Sequence, residues 1–588
     1  MRTMNRVGLA ALLLLILFLL IRTVPARSSV ETTDEVTLTL IGQVVNTGGE
    51  PIPEAEIRVL LGNQECPILC EGQLVGAVYT GDDGLFVADV PLSTAQLTEI
   101  ATGKVQLTVV ATKASYRQMR AVIVSNDLHW ESNQAFARLR DIILPRVPNP
   151  AFFLATAIFI AVFGLISLNL LHETIAAFLG AAAMLGISYF IGSFKADFWI
   201  ISLHRAIAFI DFDVIFLLMT MMIFMAIMSQ TGIFQWLAFQ TFCLARGNAF
   251  LATAILVSIT GLTSSVLNDT TVMLLMTPVS IQIALALNIH PAAIVVPEVL
   301  ASNIGGAATL IGTPPNTIIG SYVGLSFNQF LVNMLPISLM SMVILLGMTR
   351  WLYRREFGRE GKPPSPALIA KLEAGARITD PILLRKSLLL FGVTLILFFV
   401  EDLFRMPPAV VAILGSTALL LWVRPNVSEM LREVDWTTLV FFMSLFMMVG
   451  GVREVGLIQL IAESVKGMAG DSLLLATLLI VWVAAVSSAI VANIPFTAAM
   501  VPVTVFLTQT LPGAENNVLY WGLALGAGLG GNATYIGSAP NIVAVGIMDR
   551  AGFRLKFGDF SRVGVPVTFV TILVPTLWLL IRYFWLKF

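Results

Sequence analysis

The stretch SNIGGAATLIGTPPN, residues 302–316, places three glycines and two prolines inside one of the most apolar regions of the chain. Gly weakens a helix and Pro removes a backbone N–H, so a continuous α-helix is not expected there. Nearly the same stretch returns as GGNATYIGSAPN at 530–541, where eight of twelve residues are identical to residues 305–316. The chain therefore interrupts two apolar segments in the same way.

Composition defines the environment of these two breaks. Of the 588 residues, 57% are hydrophobic and 12% are charged, whereas soluble proteins have about 25% charged residues. A polytopic α-helical membrane protein is predicted. Because lipid offers the backbone no hydrogen-bond partners, both breaks must be buried in protein. The net charge of −1 provides no basic surface for nucleic acid, so no nucleic-acid partner is expected.

Residues 1–29 have the pattern of an export signal. Arg2 and Arg6 precede an apolar run from Val7 to Ile21, and Ala26 is a small residue suited to cleavage. The run is short for a membrane span. We predict a signal peptide, with an uncleaved signal anchor as the alternative; in both cases the segment that follows is exported.

Residues 30–145 change in character. Runs rich in Val, Thr and Ile, such as VTLTLIGQVV and VQLTVVAT, alternate with the turn sequences NTGGEPIP and TGDDG. This spacing predicts a small all-β sandwich. The stretch GQVVNTGGEPIPEAEIRV resembles the carboxypeptidase regulatory-like fold, which implies a non-enzymatic domain that stabilises or spaces, with ligand binding as the alternative. Cys66 and Cys70 could form a disulfide or remain free thiols.

The remainder of the chain consists of two repeats, 146–350 and 387–588, joined by a loop at 351–386. Residues 209–238 match residues 433–462 with a shift of 224, and the two breaks match with a shift of 225. The predicted elements are single crossings near 151–169, 173–192, 214–230, 330–350, 387–403, 408–423, 437–452 and 563–585, broken helices at 291–325 and 518–547, and re-entrant hairpins at 249–287 and 472–511.

Charge indicates the orientation of these spans. The segment 350–386 carries nine Lys and Arg against four Asp and Glu, and 548–562 carries four against two. The positive-inside rule places both in the cytoplasm, and counting crossings from an exported 30–145 domain gives the same result. The count also places Asp211 outside and Asp435 inside. The predicted fold therefore has inverted repeats with broken helices, which is typical of secondary transporters.

The breaks and hairpin tips carry the candidate ion-binding residues. Thr313 and Ser538 are positioned to cap the helices that restart after the breaks, and those N-termini favour anions. Backbone carbonyls freed near Gly305–Gly306 and Gly530–Gly531 suit a cation. Neutral polar side chains from the breaks and from the hairpin tips at 263–279 and 487–503 complete the set: Ser265, Asn268, Thr270, Asn303, Thr309, Asn316, Asn493, Thr497, Asn532, Thr534 and Asn541.

Two carboxylates predicted to lie at membrane depth occur in the first repeat and have no acidic counterpart in the second. Asp269 follows Asn268, whereas Ile494 follows Asn493; Glu298 corresponds to Leu523. An ionisable group at membrane depth is costly unless it is paired or neutralised, so both carboxylates are predicted to bind a cation or a proton. The alternatives are a helix cap for Asp269 and a boundary residue that reaches water for Glu298.

Catalytic and metal-binding patterns are absent from the sequence. The four histidines have no metal-ligand spacing, and no H-E-x-x-H, Walker A or G-x-S-x-G motif occurs. We therefore expect no catalytic residues, no metal site, no cofactor beyond a coupling ion, and no enzyme activity.

The stretches VLNDTTVMLLMTPV, PEVLASNIGGAATLIGTPPN, VANIPFTAAMVPV and GGNATYIGSAPN resemble the ion transporter superfamily, in the branch of arsenite permeases, sodium/proton antiporters and the melanosomal P protein, with citrate-type carriers as relatives. The resemblance covers residues 150–588. It implies a secondary transporter that moves a small ion, such as a carboxylate or oxyanion, coupled to H⁺ or Na⁺. A Na⁺/H⁺ antiporter of the same fold is one alternative, and a membrane sensor that uses the exported β domain is an alternative of another class.

The resemblance and the charge pattern also predict the surroundings of the protein. Its partners are a small ionic substrate and the lipid bilayer, and a homodimer is one possible assembly. We expect it in the plasma (cell inner) membrane, with residues 30–145 extracytoplasmic.

The orientation can be tested with single cysteines in intact cells. A cysteine at position 60 should react with a membrane-impermeant reagent added outside, whereas a cysteine at position 365 should react only after permeabilisation, because the basic excess holds that loop in the cytoplasm. Labelling of position 365 without labelling of position 60 would contradict the assignment.

Overall fold

The computed structural model describes residues 35–586 apart from residues 48, 50, 63, 71–72, 114, 124–127, 132–133, 169 and 359–372. The signal segment predicted at 1–29 and part of the loop predicted at 351–386 lie outside the described residues. The chain divides into two compact units, Met1–Val147 and Pro148–Phe588.

The first unit contains two β-sheets. The strands are β1 Glu35–Asn46, β2 Glu56–Leu61, β3 Gln64–Cys66, β4 Ile68–Cys70, β5 Gln73–Val75, β6 Val78–Tyr79, β7 Leu85–Ser93, β8 Leu107–Thr112, β9 Met119–Ile123, β10 Leu128–Glu131, β11 Gln134–Arg138 and β12 Ile142–Leu144, with one helix, α1 Thr94–Ala101. The order is β10-β11-β1-β7-β4-β5 in the first sheet, with β12 also on β1, and β3-β2-β8-β9 in the second, with β6 also on β2. Alternate residues of the strands, such as Leu38 and Leu40 or Ile57 and Val59, are fully buried, as a core between half-buried strands requires.

The predicted small all-β domain is confirmed. Its two cysteines are free thiols, because β3 and β4 belong to different sheets and the side chains diverge: Cys66 is buried and Cys70 is exposed. Burial raises the pKa of the Cys66 thiol, which keeps it protonated and unreactive.

The second unit is helical. Within the described residues, nine helices are long and apolar enough to cross a membrane, so the predicted polytopic α-helical fold is confirmed. The helices are α2 Pro150–Ser167, α3 Glu173–Ile187, α4 Leu203–Ala208, α5 Phe212–Ser229, α6 Ile233–Ala245, α7 Ala249–Ser264, α8 Asp269–Ala286, α9 Ala292–Gly306, α10 Pro314–Val323, α11 Phe327–Leu352, α12 Arg354–Phe357, α13 Pro381–Phe404, α14 Pro408–Val423, α15 Val427–Glu433, α16 Trp436–Val455, α17 Leu457–Ala469, α18 Leu473–Ile490, α19 Asn493–Thr510, α20 Val518–Gly530, α21 Ala539–Arg550 and α22 Phe557–Leu579.

The helix order of the first half returns in the second. The hairpin α7–α8 and the broken helix α9–α10 correspond to the hairpin α18–α19 and the broken helix α20–α21. In each half the first hairpin helix packs against the first part of the broken helix, α7 on α9 and α18 on α20. The other parts are exchanged, because α8 packs on α21 and α10 packs on α19. Each hairpin therefore packs against both broken helices.

The helices α6 and α17 were not expected from the sequence. The chain turns from α5 into α6 at Gly232 and from α16 into α17 at Gly456, both in the left-handed conformation (φ 77° and 95°). Only Gly adopts this conformation at little cost. The sequence pattern ended the preceding spans near these glycines but gave no sign of the helices that follow.

Glycines at the breaks serve close packing rather than unusual backbone angles. A Cβ atom at Gly305 would lie 1.9 Å from the carbonyl oxygen of Gly261, and one at Gly530 would lie 2.5 Å from that of Ala485. Such backbone contact between helices requires residues without side chains. A Cβ atom at Gly312 would lie 2.6 Å from the carbonyl oxygen of Ser264, and one at Gly537 would lie 2.7 Å from that of Ser488.

We expect Gly305→Ala to lower the free energy of unfolding by about 1–3 kcal/mol or more, because α9 must move away from α7. Gly546→Ala is the matched control, since a Cβ there meets nothing within 4 Å and Ala favours the helix by about 0.5–1 kcal/mol. Denaturation in detergent micelles measures both. Equal stability of the two variants would contradict the close packing of α7 and α9.

Candidate functional site

The first break is held together by the side-chain amide of Asn316. Its Nδ2 atom donates to the carbonyl oxygens of Ala307 (3.1 Å) and Thr309 (2.8 Å), in the loop between α9 and α10. Both carbonyls follow the last residue of α9, so they have no partner within that helix. Of the carbonyls predicted to be free, that of Gly305 accepts from the N–H of Ala308 at 2.9 Å. The Oδ1 atom of Asn316, by contrast, is buried and has no hydrogen-bond partner among the described residues.

The second break uses the same device. Nδ2 of Asn541 donates to the carbonyls of Gly531 and Thr534, both at 2.9 Å. Here, however, Oδ1 of Asn541 accepts from Nδ2 of Asn303 at 2.9 Å. The two breaks thus share one construction, and an acceptor that is unpartnered in the first is occupied in the second.

Each break is also docked onto its hairpin. The Thr309 hydroxyl donates to the carbonyl of Ser265, and the Thr534 hydroxyl donates to the carbonyl of Ala489 at 2.7 Å. In addition, the backbone N–H of Asn493 donates to the carbonyl of Gly537 at 3.1 Å. The hairpin tips and the breaks, which are far apart in sequence, therefore form one buried polar region in each half.

Asn303 joins the two regions. Its Nδ2 atom donates to Oδ1 of both Asn532 (2.7 Å) and Asn541 (2.9 Å), and its Oδ1 atom accepts from the Ser538 hydroxyl (2.8 Å). All four side chains are 2% exposed or less. Asn303 therefore acts as a bridge between the halves, and Ser538, although it lies at the N-cap position of α21, makes no cap bond to that helix.

The first hairpin tip places Asp269 against the first break. Asn268, rather than Asp269, caps α8, since its Oδ1 atom accepts from the N–H of Thr271 at 3.2 Å. The carboxylate of Asp269 accepts from the N–H of Thr270 at 2.7 Å and lies close to the Thr313 side chain. The predicted side-chain cap by Thr313 is absent.

A polar ladder between α7 and α9 leads from Asp269 to Glu298. The Thr260 hydroxyl donates to Oε1 of Glu298 at 2.8 Å. One helical turn further, the hydroxyls of Ser264 and Ser302 lie 2.7 Å apart, and Ser302 donates to the backbone carbonyl of Asp269 at 3.3 Å. Since Ser302 has only one proton, Ser264 is the donor between them.

Glu298 retains an unused oxygen. The residue is fully buried, and within the described chain neither its Oε2 atom nor the hydroxyl of nearby Ser280 has a hydrogen-bond partner. A buried carboxylate oxygen without a donor is costly unless it carries a proton or meets a cation. The position is therefore not the boundary residue reaching water that was the alternative in the sequence.

The second half lacks this ladder. With the shifts of 224 and 225 residues, Thr260, Glu298 and Ser302 correspond to Ala484, Leu523 and Ala527. Ser488, the counterpart of Ser264, donates to the carbonyl of Ala527 instead. The second half packs the same helices with apolar residues at these positions, so packing does not require the polar groups of the first half.

Two further predicted site residues, Thr497 and Thr270, are hydrogen-bonded to neighbouring residues of their own helices. Thr497 is fully buried, but its hydroxyl donates to the carbonyl of Asn493 within the same helix at 2.7 Å. Thr270 is half-buried beside Asp269. Three residues of the ladder, Thr260, Ser264 and Ser302, were missed in the sequence. Their spacing carries a signal, because Thr260 and Ser264 are four residues apart, as are Glu298 and Ser302, and each pair shares one helix face.

The described residues hold no group of three or more His, Cys, Asp or Glu side chains suited to a bound metal ion. What the region offers is two buried polar centres built around broken helices, one of them acidic. Discontinuous helices whose ends meet inside a membrane protein define a membrane transport protein.

Comparison with known proteins identifies the family. The chain belongs to the citrate transporter (CitMHS) family, whose profile matches residues 157–526, and thus to the ion transporter superfamily. An uncharacterized transporter of Mycobacterium tuberculosis is 35% identical over 436 residues, covering 73% of this chain and 99% of that protein. The human P protein is 32% identical over 506 residues, covering 73% of this chain and 60% of that protein.

Among solved structures, the YdaH transporter of Alcanivorax borkumensis aligns with 71% of this chain and 99% of its own, at 12% identity and a TM-score of 0.48. The family and its relatives support a non-enzymatic role and an integral membrane location.

The bridge can be tested by truncation. Asn303→Ala removes the partner of three buried polar side chains, and each such loss costs about 1–3 kcal/mol. We expect a total decrease of about 2–5 kcal/mol in unfolding free energy in detergent. Asn426→Ala, which removes only the cap of an exposed short helix, should cost about 1 kcal/mol. A smaller effect at Asn303 than at Asn426 would show that the bridge does not hold the halves together.

Proposed function

We propose that this protein is a secondary active transporter that moves a small anion, a carboxylate or oxyanion, coupled to H⁺ or Na⁺. The observation that carries the proposal is the convergence of helix N-termini at each break. Asp269 at the start of α8 meets Thr313 at the start of α10, and Asn493 at the start of α19 meets Gly537 just before α21. Each helix N-terminus carries about half a positive charge.

The second break is the proposed anion site. Residues 487–503 and 527–545 contain no Asp or Glu, so the positive ends of α19 and α21 are not neutralised by a carboxylate. Ala539 also has a backbone N–H where the first break has Pro314, which has none. Uncompensated helix ends with available N–H groups favour an anion.

The first break is the proposed site of the coupling cation. The carboxylate of Asp269 offsets the two helix ends there, Pro314 and Pro315 remove N–H donors, and Oδ1 of Asn316 is an unpartnered acceptor. The ladder extends this acidic region to Glu298, which is suited to hold a proton. Neutral and acidic oxygen ligands without competing N–H donors suit Na⁺ or H⁺.

The proposed arrangement in the cell follows from the positive-inside rule and the crossing count. The repeats are inverted, the protein lies in the plasma (cell inner) membrane, and residues 30–145 face outward after an export signal. Inverted repeats allow alternating access to sites near the midplane. The exported β domain has no counterpart in either repeat, which supports an accessory role.

The coupling residue can be tested in reconstituted vesicles. Asp269→Asn keeps the size and hydrogen bonding of the side chain but removes its charge, so uphill anion uptake driven by a pH or Na⁺ gradient should fall by at least about tenfold. Asp549→Asn, an exposed acid at the end of α21, is the matched control and should retain uptake. Adding Asn493→Asp should not rescue Asp269→Asn, because the second half has no ladder. Unchanged gradient dependence of Asp269→Asn would reduce the residue to a structural role.

Na⁺/H⁺ exchange is a second candidate function, favoured by the pair of buried carboxylates in the first half. The same vesicles distinguish it: exchange without added anion favours the antiporter, whereas uptake of one anion from a panel of carboxylates and oxyanions favours the proposal above. Ligand binding to residues 30–145 without any flux would favour the sensor.

A further inference from the structure

A cavity of about 370 Å³ lies beside the first break. Its mouth is formed by the exposed residues Asp213, Asp402 and Arg405. Its inner end reaches Leu310 and Thr317, both 1% exposed. Since one water molecule takes about 30 Å³ of liquid, the cavity has room for a hydrated ion.

Glu401 is one of the residues that line this cavity. The residue is 1% exposed. Its Oε1 atom accepts from the N–H of Phe327 at 2.6 Å, at the N-terminus of α11. Its Oε2 atom has no hydrogen-bond partner in the described part of the chain. A buried carboxylate oxygen in this condition attracts a cation or a proton.

The cavity has an excess of negative charge. Three carboxylates, Asp213, Glu401 and Asp402, face one guanidinium, that of Arg405. A fourth carboxylate, Asp211, accepts from the hydroxyl of the lining residue Ser321 at 2.9 Å. Acidic clefts with low-dielectric walls concentrate cations. No three of the described acidic side chains converge as a metal site, so the cation keeps water around it.

The inner end connects to the proposed cation site. The Thr317 hydroxyl donates to the carbonyl of Leu310, within the first break, at 2.9 Å. Thr313, one helical turn before Thr317, lies close to the carboxylate of Asp269. The cavity thus ends about one helical turn, or 5.4 Å of helix axis, from the Asp269–Thr313 contact.

The lining residues Asp213 and Ser321 belong to the first half, whereas Glu401 and Asp402 belong to α13 of the second. With the repeat shifts, Asp213 corresponds to Thr437 and Ser321 to Gly546. The crossing count places all three lining segments, the start of α5, the loop after α10 and the loop after α13, on the outer side. Because the second half has the same helix arrangement without an acid or a hydroxyl at the Asp213 and Ser321 positions respectively, packing does not require these two residues.

We propose that this cavity is the outer access vestibule for the coupling cation, a monovalent cation that is Na⁺ or a water-borne proton. Glu401 and the two aspartates draw the hydrated ion in, and α10 guides it to the first break. The role in coupling rests on the proposed function, whereas the cation selectivity of the cavity can be measured without transport.

Thiol modification measures that selectivity. In the full chain with Cys66, Cys70 and Cys243 replaced by Ser, Ser321→Cys is treated from outside with a cationic and an anionic methanethiosulfonate reagent of similar size. After normalisation to their rates with free cysteine, the cationic reagent should react about tenfold faster. Glu401→Gln and, separately, Asp213→Asn should reduce that ratio at least threefold. Asp549→Asn, which changes an exposed acid on the opposite, cytoplasmic side by the crossing count, should leave it unchanged.

Equal rates for the two reagents, or a ratio insensitive to both cavity variants, overturn the vestibule. If Glu401→Gln fails to fold because the bond to Phe327 is weakened, Asp213→Asn decides alone. In vesicles, Asp213→Asn should raise the half-saturating concentration of the coupling cation about threefold or more, and the titration that shifts, Na⁺ or pH, identifies the ion. Absence of gradient-driven transport in the unaltered protein would reject the proposed function, while the thiol ratio still decides the vestibule.

Discussion

An unpaired backbone carbonyl inside a membrane protein costs several kcal/mol, and the two broken helices of this chain expose such carbonyls near its centre. Asn316 and Asn541 meet this requirement with one side-chain amide each, bonded to two carbonyls of its own break. The rest of the site depends on this arrangement. Because the breaks are stabilised internally, four helix N-termini can be held at two buried points without lipid or bulk water to solvate them.

On that symmetric frame the two halves carry different chemistry. Asn303 occupies one acceptor of the second break, and the equivalent acceptor of the first break stays open. The ladder from Asp269 to Glu298 has apolar counterparts in the second half. The proposed coupling rests on this combination of duplicated geometry and unequal charge.

The cavity beside the first break extends this asymmetry toward the surface. Its carboxylates lie on the first half and on α13 of the second, so it forms only when the halves are packed together. Glu401 illustrates the point: one oxygen accepts from the N–H of Phe327 at the N-terminus of α11, and the other has no partner among the described residues. Family membership defines the protein as a transporter, and these local charges are what distinguish its two buried centres.

The sequence by itself determined the membrane class, the strand character of the N-terminal domain, and the two matched breaks, because composition, local turn residues and a constant shift are all visible along one chain. It also identified Asp269 and Glu298 as exceptions to the repeat. Only the tertiary structure decided that Asn303 bridges the halves, that Thr313 lies beside Asp269 without capping its own helix, and that Glu401 belongs to a cavity. These contacts join residues tens to hundreds of positions apart, so they depend on which helices cross and how closely their glycines let them approach.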